Sequence, residues 1–334
     1  MERITIIGLG LIGGSIGLAL KRAGMADVRI IGVARTRDTV QRAKKIGAID
    51  EDVRDVQAAV KGAKLVIVAT PILATQAIFR EIAPALEPGA VVTDCGSTKG
   101  NVMRWAKELL PEHAQFVGGH PMAGKESSGI DAADADLFRG KRWVVVPSVS
   151  AGEGAVRTVV GVAQEVGAEP SFMDADEHDS YVAAISHLPL AVSSVLFSMA
   201  SQSAAWPELA KLASTGFRDT TRLASGSPEM AHDIMVSNRE NVLHWLDRFQ
   251  AELARFRAAI ADGEGEALLA AFAKPQLERD NYMVNGPPQR DVAEPIEAIS
   301  LGDMLLGSKI NSYMKKQQEL MKNLESNDDK HKRR

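Results

Sequence analysis

One cysteine, Cys95, stands among 334 residues, so no disulfide can form within the chain and a reducing compartment is the default. Positive charge is not in excess. The net charge of −4 and pI near 6.0 give no electrostatic case for nucleic acid. An anionic ligand would therefore need a local cluster of arginines instead of a global field. No uninterrupted apolar run approaches the roughly 18 residues that suggest a spanning helix. The apolar N-terminus has neither a basic leader nor a small-residue cleavage site, and Gly8, Gly10, Gly13, Gly14 and Gly17 argue against a signal-peptide core. A cytoplasmic protein without membrane or nucleic-acid partners is the expectation. No internal repeat and no metal site is apparent.

What is present suits two domains. The length allows each its own core, and 45% hydrophobic with 25% charged residues is ordinary for a globular chain. Arg3 to Ile7 is a β-branched run that fits a buried parallel strand. Gly8-Leu9-Gly10-Leu11-Ile12-Gly13 follows directly and helix-compatible residues continue from Ser15 to Arg22. This is GxGxxG in its strand–turn–helix context. Gly8 permits the turn, Gly10 lets a pyrophosphate approach the backbone, and Gly13 allows close helix–strand packing. The helix N-terminus then faces the phosphates with free amides.

A second strand, Val28 to Val33, ends where dinucleotide-binding domains usually carry an acid for the adenosine ribose. Here Ala34 occupies that position, followed by Arg35, Thr36 and Arg37. No carboxylate repels a 2′-phosphate, and two guanidinium groups with a hydroxyl could bind one. NADP is the preferred coenzyme, with NAD possible if the arginines are only solvated turn residues. Strands at Lys64–Thr70, Ala90–Asp94, Trp143–Pro147 and 170–173 alternate with helix-like stretches near 74–86, 99–110 and 152–166. That rhythm predicts a doubly wound, mostly parallel sheet of the α/β Rossmann class. Ligands in such sheets lie beyond the carboxyl ends of the strands, an edge that holds Gly8 to Gly13, Thr70-Pro71, Ser97 and His120. Ser97 is a candidate donor there, or else the cap of the following helix; Cys95 reads as a small strand-end residue.

The stretch from Gly118 to Gly129, GGHPMAGKESSG, follows a run, Gln115-Phe116-Val117, that reads as the end of a strand. Its glycines let the backbone turn and approach a ligand. Pro121 stiffens His120, and Glu126 stands six residues on. Such a histidine suits a proton acceptor near neutral pH. From Asp176 strand signals stop, and helices near 176–203, 206–225, 228–262 and 264–285 predict an all-helical second half. Apolar residues all round the first (Tyr181, Ile185, Leu188, Val195, Met199) imply a buried central helix. Pro189 should break it, and His187 sits beside that break. Arg218 and Arg222, with i,i+4 spacing, could clamp carboxylates, or pair on the surface with Asp219 or Glu229. The domains are expected at 1–174 (Rossmann), 175–300 (all-α) and 301–334 (an amphipathic helix, then a disordered basic tail).

With these residues in hand, the chain resembles the prephenate/arogenate dehydrogenase family of tyrosine biosynthesis over roughly 1–285. The marks are GLGLIGGS, DCGSTK at 94–99, GGHPMAGKESSG at 118–129, SHLP at 186–189 and GFRDTTR at 216–222. The resemblance implies a Rossmann domain followed by an all-α dimerisation domain, hence a homodimer, with the site formed by motifs from both halves. It implies oxidative decarboxylation of a dianionic cyclohexadienyl substrate, prephenate or alternatively arogenate. His120 matches the catalytic histidine that takes the ring hydroxyl's proton, and Ser97 the serine that assists it. His187 matches a second, substrate-contacting histidine, and Glu126 an acid of the polar network. Arg222 matches the arginine that binds a carboxylate, with Arg218, Thr215 and Gly216 beside it. Two features depart from the pattern. Ala231 stands where some members have tryptophan, and no ACT-like regulatory segment is recognisable.

Other two-domain Rossmann reductases, such as pyrroline-5-carboxylate reductase, do not account for GGHPMAGKE. A non-catalytic NADP-binding regulator would bind coenzyme without turnover. The Arg35–Arg37 segment generates a direct expectation: apparent affinity is higher for NADP than for NAD, and a preference for NAD of about tenfold or more in titrations of both would overturn it.

Overall fold

The computed structural model describes residues 2–24, 28–263 and 265–287; the helix and basic tail expected beyond 300 lie outside them. Short extended runs, most of them rich in β-branched residues, alternate with helical stretches. They form β1 (Glu2–Ile7), α1 (Leu11–Arg22), β2 (Val28–Val33), α2 (Arg37–Lys45), β3 (Glu51–Asp52), α3 (Val56–Val60), β4 (Leu65–Val68), α4 (Ile72–Ile82), β5 (Val91–Asp94) and α5 (Gly100–Leu109). After these come β6 (Gln115–Pro121), β7 (Arg142–Pro147), α6 (Glu153–Glu165) and β8 (Glu169–Phe172). The eight strands form one sheet in the order β3-β2-β1-β4-β5-β6-β7-β8. All pairs are parallel except β6 with β7. The strand order reverses between β1 and β4, which opens the crevice where such sheets take ligands. Ile6, Ile31, Ile67, Val92, Val117 and Val145, from six of the strands, are buried on the two faces of the sheet.

Among the described residues, helices alone follow Asp174, whose side chain caps α7 (Ala175–Val182) by accepting from Asp176 N and Glu177 N. A π-turn, Ala183–His187, leads into α8 (Leu188–Ser201). Next are α9 (Trp206–Leu212), α10 (Thr215–Thr221) with a 3₁₀ turn at Arg222–Ser225, α11 (Pro228–Ser237), α12 (Arg239–Asp262) and α13 (Gly265–Asn285). Residues up to Arg257 form one compact unit, and those from Ala258 belong to a second. Within the first, α7 packs on α5 and α11 on α4.

Several expectations need correction. The run Gln115-Phe116-Val117 begins a strand. His120 therefore lies inside β6, opposite Val144 of β7. Gly119 serves packing there, since a Cβ would stand 2.6 Å from the Asp94 carbonyl oxygen and 2.9 Å from Trp143 Nε1. The break near Pro189 is a π-turn: wider i→i+5 bonding lets the helix pass a residue that lacks an N–H. The stretch 206–225 is broken between α9 and α10, and 228–262 is divided at Asn238.

The largest difference concerns the helix at 175–201, which is not enclosed. Ile185 is 70% exposed, Val195 66% and Met199 68%, and among the residues of α8 only Ser193 is buried. By length and hydropathy this helix would suffice to cross a bilayer, with a mean hydropathy of 1.7 over 18 residues. Its apolar residues form a surface that the other described residues do not cover.

Candidate active site

The carboxyl end of β1 opens into a tight turn built from glycines. Gly8 has φ +99°, reachable without strain only by glycine, and its N–H donates to the Val33 carbonyl at 2.9 Å. A side chain at Gly13 would collide with the Gly8 carbonyl oxygen, so α1 packs directly on the turn. Gly10, the N-cap, faces open space, and no side chain caps the amides behind it. Leu9 is buried, with Leu11 and Ile12 half-buried against the core. An uncapped helix N-terminus over an open glycine fits a pyrophosphate. At the end of β2, Ala34 is half-buried and Arg35, Thr36 and Arg37 are exposed. Neither arginine has an ion-pair partner among the described residues. The Thr36 hydroxyl caps α2 by accepting from Thr39 N at 3.2 Å, which ties it to the helix. Thr70 and Pro71 follow β4, with Pro71 as N-cap of α4.

The next strand end carries a buried ion pair. Lys99, fully buried, donates from Nζ to Asp94 Oδ2 and to the Gly119 carbonyl at 2.7 Å. Asp94 also accepts from Gly96 N at 2.8 Å and Gly119 N at 3.2 Å. Ser97 is half-buried in the turn between them. It does not cap α5, whose N-cap is Lys99; instead Asp179 of α7 accepts from Lys99 N at 2.7 Å and Gly100 N at 2.8 Å. Burial and the Asp94 carboxylate push the Cys95 thiol up, which leaves it protonated and unreactive.

His120 stands where these elements meet. Its Nδ1 lies 2.8 Å from His178 Nε2, and His178 Nδ1 lies 2.8 Å from Asp179 Oδ1. The Asp179 carboxylate, already holding two backbone amides, accepts from His178 Nδ1–H. With both imidazoles uncharged, His178 Nε2 then accepts from His120 Nδ1–H, and the lone pair on His120 Nε2 is left free. Burial first, then His178, Lys99 and His187, hold the His120 imidazole well below its ordinary range. His187 is 1% exposed and burial brings it down to about 4. Its Nδ1 is 3.1 Å from Asn238 Nδ2.

The arginines gather outside this cluster. Arg222 pairs with Glu126, six residues beyond His120, and not with Asp219 or Glu229. That pair joins the loop after β6 to the helical segment. Arg222 and the exposed Arg218 line one cavity of about 430 Å³ with Phe197, Phe217 and Thr221. Thr215 and Gly216 stand on the exposed first turn of α10, outside that lining. Sequence reasoning missed His178, Asp179 and Asn238, and quoted Asp94 and Lys99 without a role. The adjacent His178-Asp179 in an acidic helix start was the one available signal. Asn238 gave none, because the site groups its amide nitrogen reaches are 51 and 59 positions away.

Residues 16–171 match the family described as prephenate dehydrogenase, nucleotide-binding domain, and residues 174–274 that described as prephenate dehydrogenase, dimerization domain. The chain is 36% identical over 281 residues to a prephenate dehydrogenase of Bacillus subtilis, covering 84% of this chain and 76% of that protein. It is 34% identical over 280 residues to a cyclohexadienyl dehydrogenase of Zymomonas mobilis, covering 83% and 95%. Among solved structures, a prephenate dehydrogenase from A. aeolicus in complex with hydroxyphenyl propionate and NAD+ has a TM-score of 0.78 at 29% identity, covering 84% of this chain and 98% of that one. A Synechocystis arogenate dehydrogenase has a TM-score of 0.71 at 30% identity, covering 84% and 100%.

The buried pair can be tested by removing one partner. Lys99→Met leaves the Asp94 carboxylate uncompensated and is expected to cost about 3–5 kcal/mol in urea unfolding. Adding Asp94→Asn should recover part of that loss. A single-variant loss below about 1 kcal/mol, the range of exposed pairs, would deny the pair its structural role.

Proposed function

The chain belongs to the prephenate/arogenate dehydrogenase family, and we propose that its substrate is prephenate, converted to 4-hydroxyphenylpyruvate by oxidative decarboxylation. That it is an NAD(P)-linked oxidoreductase of the prephenate type, in tyrosine biosynthesis, follows from the family. The observation that carries the finer reading is the chain from Asp179 through His178 to His120, which leaves His120 Nε2 as an acceptor. A depressed imidazole is unprotonated at neutral pH and able to take a hydrogen bond, and then a proton, from the ring hydroxyl.

A nicotinamide coenzyme, which Gly8, Gly10 and Gly13 would hold, would supply the acceptor for a hydride from ring C4. As that carbon loses its hydride, the hydroxyl gives its proton to His120 Nε2 and the C4–O bond gains carbonyl character. The bond from the ring to the carboxylate then breaks, CO2 leaves, and its electron pair completes the aromatic ring. The proton on His120 returns to the phenol oxygen, so the protein is unchanged. Aromatisation supplies the driving force, and the side chains chiefly orient the partners. Ser97, at the end of β5, is the assisting hydroxyl in this reading. Arg222, with Arg218, holds carboxylate oxygens, and Glu126 balances Arg222 until a dianion shares it. Thr215 and Gly216 form the adjoining edge.

Prephenate is favoured over arogenate because no carboxylate is among the residues lining the arginine cavity, and Glu126 is held by Arg222. An ammonium would find no free carboxylate among those residues. Arg35 and Arg37, with no acid beside Ala34, support NADP over NAD. The exposed Ile185, Val195 and Met199 support a homodimer through the helical half. A cytoplasmic location accords with a soluble biosynthetic role.

Turnover followed by absorbance of the reduced coenzyme tests the reading, with prephenate expected to react faster than arogenate. His120→Asn is expected to lower kcat by about 10² to 10⁴ with coenzyme binding intact; near-normal turnover would remove His120 from the mechanism. Arg222→Ala, if the guanidinium binds ground and transition states alike, should act mainly through KM. A fall in kcat at unchanged KM would contradict that role.

A further inference from the structure

His187 Nε2 is buried without a hydrogen-bond partner among the described residues. A buried unpaired polar atom is costly unless a ligand completes it. Whether that atom is a donor or an acceptor is decided by Asn238, itself 4% exposed. The amide end of Asn238 lies 2.7 Å from the Asp179 carbonyl oxygen and 3.1 Å from His187 Nδ1. A carbonyl oxygen can only accept, so the atom facing it is the NH2 group and not the amide oxygen. The oxygen at the other end accepts from Asn241 Nδ2 at 2.8 Å, which agrees with that orientation. One N–H of Asn238 therefore reaches Asp179 and the other reaches His187 Nδ1, which must accept. The proton of a neutral His187 is then on Nε2.

We propose that Asn238 is a positioning residue for this reaction, locking His187 in the tautomer that presents a neutral Nε2–H to an oxygen of the bound substrate. The part concerning substrate rests on the prephenate reading above; the tautomer does not. The lock gives the two imidazoles opposite polarity. His120 offers a lone pair to a hydroxyl proton, and His187 offers a proton to an oxygen lone pair. A hydroxyl or carboxylate can meet that demand, whereas an apolar group or an ammonium cannot.

The test is nitrogen-15 NMR of the full chain labelled at histidine, without substrate, with the His187 signals identified by their loss in His187→Gln. Nδ1 is expected to show the shift of an unprotonated ring nitrogen and Nε2 that of a protonated one. The reverse pattern in the wild type would overturn the proposal, and this measurement needs no variant of Asn238 to fold. Asn238→Asp gives up the bond to the Asp179 carbonyl, turns an acceptor toward Nδ1 and should move the proton there. With prephenate as the probe, kcat/KM is then expected to fall by about 10- to 100-fold, with coenzyme affinity unchanged. Asn238→Asp with kcat/KM within about twofold of wild type, the proton having moved, would sink the substrate-facing part. Absence of prephenate turnover in the wild type would sink the assigned reaction, while the tautomer would still decide the role of Asn238.

Discussion

A single buried ammonium holds the site together. Lys99 Nζ reaches the Asp94 carboxylate at the end of β5 and the carbonyl of Gly119 in β6, the residue before His120. Charges removed from water are costly unless their remaining hydrogen-bonding capacity is met. Here it is met closely, since Asp94 also takes the amides of Gly96 and Gly119. The pairing fixes the ends of two strands beside each other and sets the position from which His120 projects. The same ammonium disfavours a proton on His120, so the group that positions the imidazole also helps keep it neutral.

Asp179 does comparable duty from the helical side. Its side chain closes the N-terminus of α5 and orients His178, and its backbone carbonyl orients Asn238. One residue thereby links the helix after DCGSTK, the relay to His120 and the setting of His187. Thr98 and Asn101 add bonds to Ser237 at the end of α11. The strand ends and the helices thus share a single polar network, and the geometry on one side depends on the other.

The helix from 175 to 201 shows a different constraint. Its inner positions, His178, Asp179, Val182, Ala183 and His187, are buried in this network, while Ile185, Val195 and Met199 face outward. An apolar surface of this kind is expensive in water, and the described residues leave it uncovered. Sequence periodicity cannot distinguish a helix buried within its own subunit from one buried against a neighbour, because both are apolar all round. That is why the expectation of a buried central helix failed.

Much of the architecture was legible because it follows from local rules. Uncharged β-branched runs, GxGxxG in its context and the loss of strand signals from Asp176 led to a parallel sheet followed by helices. The residues around Gly8–Gly13, His120, His187 and Arg222 could be singled out for the same reason: their motifs are short and continuous. What the chain order could not disclose was contact between distant positions. His120 meets His178 across 58 residues, Asn238 meets His187 across 51, and Arg222 meets Glu126 across 96. Which nitrogen of an imidazole carries its proton depends on the partner that folding brings to the other nitrogen. Sequence alone determined which side chains were available for chemistry; only the tertiary structure decided which of them donate and which accept.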